Sequence, residues 1–322
     1  MPEKIKVVFM GTPDFAVPPL QALISAENIE VSAVITQEDK KVGRKQIVTP
    51  PPVKILALEN QIPVLQPPGL KNNAEIVKLL QDLRPDFIVV VAFGRILPET
   101  ILKIPKYCCI NIHGSLLPKY RGASPIEEAL RRGDKETGLT FIKMTGEMDA
   151  GPVLHIQRLP IDPADTSLTL RVKLSVLAST LLPAVLQDYV DEVITPIPQD
   201  ESKSTRCHKI IKADGFIDPV KMTANEISNC IRAFTSWPGC FLIIGNKKLK
   251  LIEIKTDNNS TNTKSLRPGQ ISEPASGQIA IGTKSGAIIL TKVQLEGKKA
   301  MPIQDFLRGN KDLFKEALTS AK

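Results

Sequence analysis

Apolar and polar positions alternate between two periods along the first 190 residues. Ile5-Lys6-Val7-Val8-Phe9-Met10 reads as a buried strand within Lys4 to Met10, and it stops at Gly11-Thr12-Pro13. Phe15 to Ser25 switches to helical spacing, and Ile29 to Thr36 returns to a strand. Val53–Glu59 and Asn73–Leu83 are helical, while Phe87–Ala92 and Cys108–Asn111 are strands of continuous apolar type. Helices alternating with wholly apolar strands predict an α/β fold, a parallel sheet covered on both faces. Thr137–Met144 and Gly151–Leu159 predict a last pair of strands, and Ser167–Asp188 a long helix closing the domain. Gln37 to Pro52 is polar, basic and Pro-containing, which predicts an exposed loop.

The pattern changes after residue 192. Val193 to Arg206 is polar and contains Pro196 and Pro198, the signature of an interdomain linker. One helix is expected near Ala224–Phe234. Short strands broken by turns follow at Phe241–Ile244, Leu249–Ile254, Gly269–Ile271, Gln278–Ile281 and Ala287–Leu295. Several such strands in succession predict a small β-barrel. A chain of 322 residues suits two domains of ordinary size, here expected at 1–192 and 207–322 with 193–206 between them.

Charge sharpens this division. Arg206 to Lys322 holds 19 Lys and Arg against 10 Asp and Glu, a net charge of +9, so residues 1–205 carry −1 of the overall +8. An excess confined to the last third points either to a gripped polyanion or to a solubilising lysine surface. No apolar run approaches the ~18 residues of a membrane span. The N-terminus shows neither secretory nor transit features, so a cytoplasmic location is expected. The five cysteines form no C-x-x-C pair, which argues against disulfides or structural zinc. Cys108 and Cys109 are expected to pack as small apolar residues.

The candidate chemistry lies where the Cys108 strand gives way to Gly114-Ser115-Leu116-Leu117-Pro118. Strand side chains repeat every second residue, so Asn111 and His113 share a face at the strand's end. That pair admits two readings, a strand terminus with its imidazole bonded to backbone, or half of a site. The loop that follows stands at the carboxyl end of a parallel strand, where open α/β sheets place ligands. Leu116 and Leu117 need a surface to bury against, and a flat heterocycle is one. Asp149, in Met148-Asp149-Ala150-Gly151, supplies a carboxylate or is an ordinary turn residue, and Glu147 offers the same group nearby. Amide, imidazole and carboxylate together suit acyl chemistry. Gly11-Thr12-Pro13 is neither G-x-G-x-x-G nor a P-loop, and no G-x-S-x-G elbow surrounds Ser115.

Three groups of residues carry a resemblance to a known family. Asn111 to Gly122 is similar to the signature of the 10-formyltetrahydrofolate-dependent formyltransferases, and Gly138-Leu139-Thr140 through Leu154 to their second segment. Gly11 to Pro18, Thr36 to Asp39, Lys209 to Gly215, Trp237-Pro238-Gly239 and Phe306 to Gly309 resemble the members that act on methionyl-tRNA. The resemblance spans essentially the whole chain. It implies a Rossmann-like first domain and an OB-like barrel that helps hold tRNA. The activity implied is transfer of the formyl group of 10-formyltetrahydrofolate to the α-amine of initiator methionyl-tRNA, without a metal, by a monomer.

The same resemblance implies roles. Asn111, His113 and Asp149 would be catalytic, with Asn111 and a protonated His113 donating to the oxyanion. Ser115, Leu116, Leu117 and Pro118, with Phe93, would line the folate site, and the 117–118 peptide would be cis. Arg44 and Lys45 in the long loop, and Lys209, Lys247 and Lys248, would contact tRNA. Two departures stand out. Ser124 occupies a place usual for Ala, and Glu127-Glu128 put an acidic pair beside the expected tRNA path. The alternative is a folate-dependent formyltransferase acting on a small-molecule amine, which would not need the basic third of the chain.

Overall fold

The computed structural model describes residues 3–43, 45–257 and 266–314, in two compact units. The first takes Met1–Pro125, Glu136–Ile161 and Leu170–Cys207. In chain order it runs β1 (Ile5–Gly11), α1 (Val17–Ser25), β2 (Ile29–Ile35), β3 (Lys40–Val42), β4 (Ile47–Thr49), α2 (Pro52–Glu59), β5 (Val64–Leu65), α3 (Ala74–Leu83), β6 (Phe87–Val91), α4 (Glu99–Leu102), β7 (Cys108–His113) and β8 (Arg121–Gly122). After α5 (Pro125–Arg132), which lies mostly in the other unit, it continues with β9 (Glu136–Lys143), β10 (Val153–Pro160), α6 (Ser167–Val190) and β11 (Arg206–Cys207).

The main sheet has the order β10-β9-β7-β6-β1-β2-β5. Strands β5, β2, β1, β6 and β7 are parallel, whereas β9 runs antiparallel to β7 and β10 to β9. Every residue of β6 is buried, as a strand covered on both faces requires. One such face is packed by Ile76 and Leu80 of α3 and Ile101 of α4 over Val8, Met10, Ile88 and Val90. Gly11 closes the first strand-to-helix turn. A Cβ there would lie 2.7 Å from the Phe9 ring and 2.8 Å from Ala16, so only glycine fits.

Helix α6 buries Leu170, Leu174, Ala178, Leu182 and Leu186, one side chain every four residues, while Val172 and Val176 stay exposed. By length and hydropathy this helix is apolar enough to cross a membrane. Arg171 and Lys173 interrupt its apolar pattern, so no unbroken run of ~18 apolar residues occurs there. Its buried stripe is that of a helix packed along one side.

Two other segments differ from expectation. Gln37–Pro52 is not wholly a loop, because β3 and β4 pair as an antiparallel hairpin with Val42, Ile47 and Val48 exposed. Arg44 lies outside the described residues. The strip 193–207 is not a free connector. It bonds Val153 at Ile197, and β11 pairs with β8.

The second unit gathers Ile126–Lys135, Asp162–Thr169 and His208–Lys322. Its elements are α7 (Ala224–Ala233), β12 (Cys240–Ile244), β13 (Lys247–Asp257), β14 (Ile271–Ser272), β15 (Ile279–Gly282), β16 (Ala287–Leu295), β17 (Met301–Pro302) and α8 (Ile303–Asn310). The strands form one antiparallel sheet, β12-β13-β16-β15-β14, with β17 also on β16. The register of β13 against β16 shifts between Leu251 and Ile254, which bends the sheet into a half-barrel. Glu127 and Glu128 on α5 are buried, so the acidic pair does not form a surface patch. Burial raises the Glu128 pKa, but hydrogen bonds from Arg131 and Arg132 outweigh it and hold the carboxyl below its ordinary value.

The packing of α6 makes a direct contrast. Leu182→Ala should cost about 2–5 kcal/mol in urea denaturation, whereas Val176→Ala should stay within about 0.5 kcal/mol. Equal losses would contradict the buried stripe.

Candidate active site

Strand β7 ends at the carboxyl edge of the parallel sheet, and the spacing of two puts Asn111 and His113 on the same side. The antiparallel β9 returns beside it, with Asn111 opposite Ile142 and His113 opposite Thr140. The loop after β9 then delivers Asp149. The three side chains converge. Asn111 Nδ2 donates to Asp149 Oδ1 at 3.3 Å, and His113 Nδ1 stands 3.6 Å from Asp149 Oδ2. The carboxylate is 13% exposed and the imidazole 6%.

Asp149 has a left-handed backbone, φ 52°, a conformation that Asp tolerates better than most residues. Its Oδ2 also accepts the Gly122 N–H at 2.9 Å. Gly122 is required there. Its φ is +125°, and a Cβ would meet the Cys207 carbonyl oxygen at 2.2 Å. A carboxylate this shielded needs such donors to offset lost hydration.

His113 Nε2 lies 2.9 Å from the Tyr120 carbonyl oxygen. A carbonyl only accepts, so Nε2 carries a proton and donates it. The imidazole is thus bonded to backbone through one ring nitrogen and faces the carboxylate with the other. Nε2 is committed to that carbonyl, and Nδ1 stands beside Asp149. Asn111 carries a second amide N–H, for which the described residues supply no partner.

The loop after β7 is fastened from within. Ser115 Oγ donates to the Lys119 carbonyl at 2.6 Å, Thr140 Oγ1 donates to the Ser115 carbonyl at 2.7 Å, and Leu117 N–H donates to Thr140 Oγ1 at 3.1 Å. The Leu117–Pro118 peptide is cis. Ser115 and Leu117 are buried, and Leu116 and Pro118 are half-buried. Leu116 covers Gly138, whose Cβ would sit 2.6 Å from the leucine's Cδ2. The leucines thus find part of their apolar surroundings in the sheet itself. Phe93 is buried in the core cluster with Val90, Leu97 and Ile101. Its carbonyl accepts from Gln37 Nε2 at 2.8 Å.

The proposed tRNA contacts are divided between the two units. Lys45 is exposed at the tip of the β3–β4 hairpin, in the first unit. Lys209, Lys247 and Lys248 belong to the second unit. Lys209 and Lys247 are exposed, and Lys248 Nζ lies over the Phe241 ring at 3.5 Å. Burial pushes the Cys108 thiol up to about 11 and Cys109 higher still, so neither is a thiolate nucleophile at neutral pH.

Sequence reasoning overlooked Arg121, Thr205 and Gln199. Tyr120 N–H donates to Thr205 Oγ1 at 2.9 Å, and Arg121 N–H to the Thr205 carbonyl at 2.9 Å. Gln199 and Thr205 lie in the apparent linker, which hid them, and Arg121 lies within the 111–122 segment without a signal of its own.

Residues 3–186 match the formyl transferase family, and residues 209–311 match the formyl transferase C-terminal domain. A methionyl-tRNA formyltransferase of Caldicellulosiruptor saccharolyticus is 44% identical over 305 residues, covering 95% of this chain and 97% of that protein. One from Staphylococcus epidermidis is 42% identical over 305 residues, covering 94% and 96%. The solved N-formyltransferase of Helicobacter canadensis, in complex with folinic acid and dTDP-3-aminofucose, has a TM-score of 0.63 at 21% identity, covering 89% of this chain and 98% of its own, a likeness of fold. Matched in both halves and along nearly its whole length, the chain belongs to the methionyl-tRNA formyltransferase family.

Proposed function

We propose that Asn111, His113 and Asp149 carry formyl transfer from 10-formyltetrahydrofolate to the α-amine of initiator methionyl-tRNA. The products are N-formylmethionyl-tRNA and tetrahydrofolate. The observation that supports this reading is the convergence of all three groups at the carboxyl edge of the sheet, in a chain of this family. The folate supplies an activated formyl carbon. The amine nitrogen bonds to that carbon, the bond from carbon to folate N10 breaks, and the amine proton ends on N10. Asn111 uses its second N–H to stabilise the oxygen that gains negative charge. His113 contributes at Nδ1, with its ring held through Nε2 by the Tyr120 carbonyl. Asp149 orients that ring and accepts the amine proton, directly or through water, on its way to N10.

The folate is assigned to Ser115, Leu116, Leu117, Pro118 and Phe93. The tRNA is assigned to Arg44 and Lys45 and to Lys209, Lys247 and Lys248 in the basic last third. Catalysis is assigned to residues 1–192 and the main tRNA grip to 207–322, with Arg44 and Lys45 adding a contact from the first domain. The enzyme is read as a cytoplasmic monomer that uses no metal and no membrane. A small-molecule amine is the alternative acceptor, and it leaves the positive charge after Arg206 without a purpose. Formylation of charged initiator tRNA, compared with glycinamide ribonucleotide, separates the two.

Asn111→Ala should reduce turnover about 10²–10³-fold with little change in tRNA affinity, because it removes one oxyanion donor. Turnover within a few-fold of wild type would contradict the assignment. Raising monovalent salt from about 50 to 200 mM should weaken tRNA binding tenfold or more. Lys247→Ala with Lys248→Ala should lower the slope of log affinity against log salt by about 1–2. A flat salt response, measured by filter binding, would remove the charged grip.

A further inference from the structure

The strip 193–207 crosses the two loops that build the site, and Gln199 sits at the crossing. Its Oε1 accepts from Arg121 Nε at 3.1 Å and Nη2 at 2.7 Å. Its Nε2 donates to the carbonyl oxygens of Asp149 and Gly151, each at 2.8 Å. All four partners agree on one orientation of the amide, since a guanidinium only donates and a carbonyl only accepts. Arg121, 5% exposed, is fixed in turn by Glu201, Nη1 to Oε2 at 2.9 Å and Nη2 to Oε1 at 2.7 Å. From the other side the turn is braced by Gly151, where a Cβ would lie 1.8 Å from the Lys143 carbonyl oxygen.

We propose that Gln199 is a positioning residue for formyl transfer. Its carboxamide holds the 149–151 turn in the left-handed conformation that aims the Asp149 carboxylate at His113 and Asn111. The inference rests on the role given to Asp149 above. Gln199 touches no reacting atom. It acts by fixing where one carboxylate points, and misplacement by about 1 Å at a reacting centre costs on the order of 10²-fold.

Gln199→Glu is the sharpest test. It keeps an oxygen for Arg121 but sets a second oxygen against two carbonyls, which have no proton to give. The expected result is kcat lower by about 10²-fold, with KM for the formyl donor and for methionyl-tRNA nearly unchanged and the melting temperature close to wild type. In a cycle with Asp149→Ala, the double variant should be no slower than Asp149→Ala alone. Gln199→Leu, run through the same cycle, serves if the glutamate variant does not fold. Wild-type turnover by Asp149→Ala would overturn the reading of the trio itself. A slow Asp149→Ala beside a Gln199→Glu of normal kcat would overturn only the role of Gln199. So would losses that multiply in the double variant, which would mean that Gln199 acts independently of Asp149.

Discussion

One carboxylate organises the site. Asn111, His113 and the backbone N–H of Gly122 all address Asp149, which comes from a loop 38 residues beyond Asn111. A carboxylate only 13% exposed has given up much of its hydration, and it is tolerable only where donors replace that water. Placing it also requires a left-handed backbone at a non-glycine residue, which costs about 1–2 kcal/mol. Much of the surrounding architecture can be understood as meeting these two demands.

The sheet meets the first. Five parallel strands bring loops to one edge but do not return the chain alongside the last of them. The antiparallel β9 does so, lying against β7 residue by residue. Thr140, opposite His113, also bonds the Ser115–Leu117 loop through its hydroxyl. One hydroxyl thus links the end of the strand that bears the imidazole to the loop assigned to the folate. Glycine permits close approach twice, because at Gly122 and Gly151 another segment's carbonyl oxygen occupies the space a side chain would need.

The sheet was legible in the sequence because strands buried on both faces read as unbroken apolar runs. Asn111 and His113 were legible for a related reason, since a period of two puts both on one side of a strand. Other parts were hidden by the nature of the groups involved. The partner of His113 Nε2 is a main-chain carbonyl, which any residue at position 120 would supply. The β3–β4 hairpin turns Val42, Ile47 and Val48 outward, so its pattern lacks a buried face and reads as loop. The neutralisation of Glu128 was readable in principle, because Arg131 and Arg132 follow at helical spacings of three and four. Gln199 left no trace, as a polar residue among prolines is what a connector also looks like. Phe93 is the opposite case, an aromatic expected at the folate site whose side chain lies in the core.

Where the first unit ends matters to anyone who would cut or splice this chain. Composition sets the break at residue 192, yet the next 15 residues supply Gln199 and Glu201 to Arg121, and Thr205 and Cys207 to the segment 120–124. A fragment excised at 192 would strand a guanidinium that is 5% exposed without its counter-charge. A chimera bearing a foreign C-terminal unit therefore belongs with its junction after Cys207, so that the tether travels with the chemistry.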